Sequence, residues 1–167
     1  MEQKDLDYVI EAHRDFSKSN SKAYRKWDAK TPYYTHPIWC ASMIASETSL
    51  SETVRNEGIQ ALLYHDVLED TNLPLPDWLS KRVVDLVAEM TFYNGSSQEM
   101  QEIWDKSKEV RLYKLYDKVS NLLDGCWMSE EKRRKYEEYT KRLCEDVEEN
   151  YGQLNIIKIC WSCITLL

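Results

Sequence analysis

The run from Ala61 to Leu68 constrains this chain more than any other stretch. It has the apolar composition of a buried helix, yet it carries the adjacent pair His65 and Asp66, and Glu69 and Asp70 follow at once. On an uninterrupted helix, positions three and four apart share a face, so the spacing predicts that all four side chains emerge together on one side. Drawing such a cluster into a core leaves charges that cost several kcal/mol each unless they are paired. A bound cation is the simplest compensation, and the chain is expected to fold around one.

The rest of the sequence supplies a helical frame. Leu6, Val9, Ile10, His13 and Phe16 recur at steps of three and four and predict a helix over residues 4–18. A polar, basic link over residues 17–30 leads into Thr31-Pro32-Tyr33-Tyr34-Thr35-His36-Pro37, a stiff connector with Pro37 in the first turn of a helix to residue 47. Further helices are expected over 51–69, 80–90, 110–124, 130–150 and 154–166, with Leu73-Pro74-Leu75-Pro76 as a break. Another opens at Ser96-Ser97-Gln98-Glu99, which has the pattern of a capping box. Only four Gly and four Pro in 167 residues argue against a many-turned β protein. The expectation is an all-α fold, one compact bundle of seven or eight helices, with residues 1–167 forming a single domain.

Charge and composition narrow the function. A net charge of −7 argues against a general nucleic-acid-binding face, while leaving room for a local basic pocket that takes a small anion. No apolar stretch reaches the roughly 18 residues that a membrane span needs, and Met1 to Asp7 is polar and acidic, unlike a signal peptide. Five scattered cysteines suit a reducing cytoplasm better than a disulfide framework, and Cys160-Trp161-Ser162-Cys163 has no second ligand pair to complete a zinc site. Residues 130–149 read as a solvated helix with paired charges, although Tyr136 and the basic residues near its start could face a pocket. The oligomeric state stays open.

Two ligands from one helix do not close a metal site. His36, rigidly held before Pro37, either caps its helix or joins the cluster; Asp117, the one carboxylate in the apolar-faced stretch from Leu112 to Leu123, is either a surface or capping group or a ligand. Together His36, His65, Asp66 and Asp117 would offer two imidazoles and two carboxylates, a donor set suited to Mn, Fe, Co, Ni or Zn.

In this order the residues become recognisable. Thr31-Pro32-Tyr33 with His36-Pro37, then His65-Asp66 with Glu69-Asp70-Thr71, then Lys114-Leu115-Tyr116-Asp117-Lys118 with Asn121 resemble the HD superfamily of metal-dependent phosphohydrolases. More narrowly they resemble the hydrolase domain of Rel/SpoT stringent-response enzymes and the small alarmone hydrolases of the MESH type. The likeness covers residues 5–150 and includes a basic pair at Arg25-Lys26. It implies Mn²⁺ on His36, His65, Asp66 and Asp117, with Glu69 and Asp70 orienting or deprotonating the attacking water. It further implies nucleotide contacts from Arg25, Lys26 and Asn121, and from Lys132 where the family carries arginine near the position of Tyr136. The reaction implied is removal of the 3′-diphosphate from guanosine tetra- or pentaphosphate, leaving GDP or GTP and pyrophosphate.

The chemistry suits these residue types independently. A metal lowers the pKa of bound water towards about 7, and a neighbouring carboxylate can take its proton. Lys114 and Lys118 join Arg25 and Lys26 as candidates to neutralise phosphate, and Tyr33 either stacks on a purine or packs in the core. The segment Phe92-Tyr93-Asn94-Gly95-Ser96-Ser97-Gln98 departs from the family, which usually carries charges there. Two other readings therefore stand beside the first: a phosphohydrolase of another nucleotide (a nucleoside monophosphate, a cyclic nucleotide or NADPH), and a helical interaction module with a structural metal.

Overall fold

The protein is described over residues 1–165 by a computed structural model. Its helices are α1 (Gln3–Asp15), α2 (Asn20–Ala23), α3 (Thr35–Ala45), α4 (Glu52–Tyr64), α5 (Val67–Asp70), α6 (Lys81–Met90), α7 (Ser96–Glu102), α8 (Lys108–Leu123), α9 (Glu130–Tyr151) and α10 (Asn155–Thr165). Single three-ten turns lie at Ile103–Asp105 and Gly125–Trp127. Among the described residues there is no strand, only two isolated bridges, Ser17 with Thr71 and Tyr24 with Pro32. The all-α expectation holds. The end of the last expected helix, at residue 166, lies outside the described residues.

Local chemistry explains where these helices start. Ser51, Ser80, Ser107 and Ser129 each sit at an N-cap and accept the N–H three residues on, at 3.3 Å, and each such cap stabilises by about 1 kcal/mol. At the far end of α9, Gly152 takes φ 74°, a left-handed conformation that stops the helix. The packing centre is α3 against α4 with α8 crossing both; α6 covers α4, and α9 and α10 close over α8. Ile44, Leu62, Leu63, Leu112, Leu115 and Tyr116 are fully buried there. The charged face of α9 pairs within itself, Lys135 with Glu131 at 2.7 Å and Arg133 with Glu137 at 2.9 Å, while Tyr136 and Tyr139 turn inward.

Three expectations are corrected. The helix expected over 51–69 is not continuous: α4 ends at Tyr64, and His65 and Asp66 form a break before α5. The cause is visible in the His65 ring, whose Nδ1 lies 2.7 Å from the Leu62 carbonyl, the acceptor a continuing helix would offer to the Asp66 N–H. The four polar residues therefore do not share one regular helical face. Second, Ser96 opens no capping box. The N-cap is Gly95 at φ 73°, and Glu99 points into the protein instead of back to the helix start. Third, there are ten α-helices among the described residues rather than seven or eight, because the third one splits and the basic link contains α2.

Candidate active site

The segment between α1 and α3 folds back on itself. Arg25 N–H donates to the Thr31 carbonyl at 2.8 Å and Tyr33 N–H to that of Ala23 at 2.9 Å. Asp28 closes the intervening turn by accepting from the Lys30 and Thr31 amides and the Thr31 hydroxyl. This clasp seats Tyr33 and His36 at the entrance to α3. The α4–α5 break delivers His65 and Asp66, and the middle of α8 delivers Asp117.

These side chains meet. His36 Nε2 lies 3.3 Å from Asp117 Oδ1 and 3.6 Å from Asp66 Oδ2; His65 Nε2 lies 3.1 Å from Asp66 Oδ2 and 3.9 Å from Asp117 Oδ1. One ligand atom each from His36, His65 and Asp66 falls within 4.8 Å of the others, with all three residues buried. Both Nε2 atoms are buried without a hydrogen-bond partner, a cost tolerated when they face a cation. Their other nitrogens are occupied: His36 Nδ1 at 2.8 Å from Ser120 Oγ and His65 Nδ1 at the Leu62 carbonyl. Such outer contacts fix which nitrogen of each ring faces inward. Burial opposes charge on both rings and lowers the His36 pKa, yet Asp66 and Asp117 hold His65 up to about 9. The same negative field draws a metal ion. The residues fit one.

Each carboxylate is steadied from outside. Tyr33 donates its hydroxyl to Asp66 Oδ2 at 2.7 Å, so this ring acts on the cluster from within the fold. Asp117 accepts Asn121 Nδ2 on Oδ1 at 2.7 Å, while Lys114 and Lys118 approach Oδ2 at 3.2 and 3.0 Å. The same two ammonium groups contact Glu99 Oε2 at 3.3 and 2.8 Å, and Tyr139 donates to Glu99 Oε1 at 2.9 Å. Burial disfavours these lysines' charges, but Asp117 and Glu99 outweigh it and raise both pKa values.

Beyond the cluster stand Glu69 and Asp70. Glu69 accepts the Phe92 N–H on Oε1 at 2.7 Å; burial first, then Asp66, raise its pKa against the opposing pull of Lys114. Asp70 is raised by burial and Asp66, and it forms an ion pair with Lys22. Both face the opening in front of the cluster.

Known proteins carry a similar chain. A MESH1 protein of Xenopus tropicalis, named guanosine-3′,5′-bis(diphosphate) 3′-pyrophosphohydrolase, is 29% identical over 129 residues, covering 72% of this chain and 70% of that one. The human protein of the same name is 28% identical over 156 residues, covering 84% and 85%, and that of Drosophila melanogaster 29% over 168, covering 90% and 87%. A solved structure described as "A metazoan ortholog of SpoT hydrolyzes ppGpp and plays a role in starvation responses" superposes with a TM-score of 0.72 over 98% of this chain and 92% of that one, at 24% identity. No family model matches. The chain belongs to the MESH1-type branch of the HD superfamily.

In this MESH1-type chain, one cleft of about 270 Å³ gathers Arg25, Lys26, Tyr33, Asp66, Glu69, Asp70, Lys114, Asp117, Lys118, Asn121, Lys132 and Tyr136. His36 and His65 meet Asp66 behind it. Arg25 lies on its wall with its guanidinium engaged, Nε on Asp124 at 2.7 Å and Nη2 on Asn121 Oδ1 at 2.9 Å. Sequence reasoning missed Lys22, Glu99 and Trp127 as site residues; they line the same cleft, as does Phe92 from the divergent segment. It also took His13 for part of an apolar stripe. That residue is fully buried with both ring nitrogens unpartnered, 5.2 Å from the Tyr33 ring, and burial lowers its pKa to about 4. A histidine on an otherwise apolar stripe was its only signal.

Proposed function

We propose that the protein is a metal-dependent hydrolase that removes the 3′-diphosphate of guanosine tetra- or pentaphosphate, giving GDP or GTP and pyrophosphate. The observation that carries this is the convergence of two unpartnered buried Nε2 atoms with Asp66 and Asp117 at the floor of a cation-lined cleft. In this reading His36, His65, Asp66 and Asp117 hold Mn²⁺, or another divalent transition metal, and residues 1–167 act as one catalytic domain. The ion would supply an acidified water and a polarised phosphoryl oxygen. Glu69, anchored through Oε1 by the Phe92 N–H, accepts the water's proton and returns one to the leaving group. Asp70, tethered to Lys22, orients the same water. The proposed partner is a small anionic nucleotide, not a nucleic acid or a membrane, and the proposed compartment is the cytoplasm. Among the described residues no helix is long and apolar enough to cross a membrane.

A second substrate reading rests on Phe92, which puts an aromatic residue on the cleft wall; it would favour another phosphorylated nucleotide. Purified protein with Mn²⁺, offered a nucleotide panel, separates the two. Pyrophosphate from guanosine tetraphosphate, abolished together with metal binding by Asp66→Ala, is the expected result. Orthophosphate from other nucleotides alone would transfer the assignment to the second reading.

A further inference from the structure

Lys114 and Lys118 stand one helical turn apart on α8, a spacing at which like charges repel. Both are buried, 2% and 6% exposed, so water does little to screen them. Two carboxylates answer them. Asp117 offers Oδ2 at 3.2 and 3.0 Å, and Glu99 offers Oε2 at 3.3 and 2.8 Å. The four groups close a ring of two positive and two negative charges, with the Phe92 and Tyr136 rings 5.4 and 5.5 Å from the two ammonium groups. Burial opposes the charge on Lys114, and Glu99, ahead of Asp117, restores it.

The two oxygens of Asp117 have different neighbours. Oδ1 faces the His36 and His65 rings at 3.3 and 3.9 Å, whereas Oδ2 is given over to the lysines. With Glu99 neutral, both ammonium groups would crowd Oδ2 alone. One positive charge would then stand uncompensated beside a site that has to attract a divalent cation, a costly arrangement in a buried setting. Glu99 reaches the ring from α7, and its other oxygen accepts the Tyr139 hydroxyl of α9 at 2.9 Å. Three helices thus fix where its charge lies.

We propose that Glu99 is a positioning residue for the metal centre: by sharing Lys114 and Lys118 it keeps Asp117 available as a ligand and sets the affinity of the site for a divalent cation. This rests on the metal-dependent reading of His36, His65, Asp66 and Asp117. Both Glu99 oxygens are engaged within the fold, so its effect reaches the ion through the lysines.

The metal-stripped full chain is titrated with Mn²⁺ by calorimetry, with the free ion followed by electron paramagnetic resonance. Glu99→Gln keeps the shape of the side chain and removes its charge. It should stay folded and raise the Mn²⁺ dissociation constant at least about tenfold. Adding Lys118→Met removes the surplus positive charge and should return the constant to within about twofold of wild type. A purely structural loss would not be repaired by a second truncation, so failure of this rescue overturns the proposal. Tyr139→Phe releases the α9 anchor and leaves the charge, and should weaken binding far less than Glu99→Gln. An equal loss there would place the effect in the anchoring of α7, and the role of charge would be wrong. If Glu99→Gln does not fold alone, Lys118→Met alone reads the same coupling. It leaves the ring with net negative charge and should tighten Mn²⁺ binding; unchanged or weaker binding overturns the proposal. An unchanged dissociation constant in folded Glu99→Gln removes the role of Glu99 and leaves the metal-dependent reading standing. Wild type that takes up no Mn²⁺, Zn²⁺ or Co²⁺ sinks that reading, and the role of Glu99 falls with it.

Discussion

Glu69 shows how one side chain can be both anchored and reactive. Its Oε1 is fixed by a backbone amide, and burial beside Asp66 makes the carboxyl hold its proton more tightly than an ordinary glutamate. A general base works only when deprotonated, so the rate should rise with pH through this raised pKa. The acid limb of kcat/KM then sits higher than free glutamate would place it. Glu69→Gln should keep the metal, reduce kcat at least about a hundredfold and abolish that limb. Loss of metal together with turnover would show that Glu69 belongs to the ligand set. Glu69 was legible in the sequence because it lies within a turn of His65 and Asp66. Glu99 was not: it meets Lys114 and Lys118 across 15 and 19 residues, and the pattern around it pointed to a helix cap.

At the scale of elements, close approach and tertiary caps shape the frame around the site. Gly58 lies in α4 where a methyl group would stand 2.4 Å from Ile44 Cδ1 and 2.6 Å from Tyr113 Cε1. The isoleucine tip can swing away, but the tyrosine ring is tied through its hydroxyl to the Val54 carbonyl at 2.9 Å. In an open helix Gly→Ala stabilises by about 1 kcal/mol. Here overpacking of about 1–3 kcal/mol works against it, so Gly58→Ala should lower the melting temperature, by up to roughly 8 °C for a chain of this size. A rise in the melting temperature would mean that α3, α4 and α8 do not approach this closely. The start of α10 is capped from afar: Glu47, buried, accepts the Asn155 and Ile156 amides at 3.1 and 3.0 Å. The serine caps could be read locally, and this one could not, because its acceptor lies 108 residues upstream.

For the whole molecule, metal and stability are linked. A ligand that binds only the folded chain stabilises it by about 2.7 kcal/mol at a hundred times its dissociation constant. Exhaustive chelation should therefore lower the melting temperature of wild type by roughly 5–10 °C, and re-addition of Mn²⁺ should restore it. Asp66→Ala should show neither response. A wild-type melting curve indifferent to complete metal removal would contradict a cation held by four side chains from three separate elements. The charge distribution belongs to this scale too, since a chain of net −7 collects six cations around one cleft.

The helices and the kinds of side chain able to grip a metal were determined by the sequence alone. Apolar spacing, serine caps and a His-Asp pair inside an apolar run act over a turn or two of chain. Tertiary packing decided how the charges were apportioned: which lysines Asp117 and Glu99 engage, and that Lys26 and Lys132 are left facing Trp127 without a carboxylate. Ion pairing depends on distances of 3–4 Å between groups many residues apart, and only the packed helices set those distances.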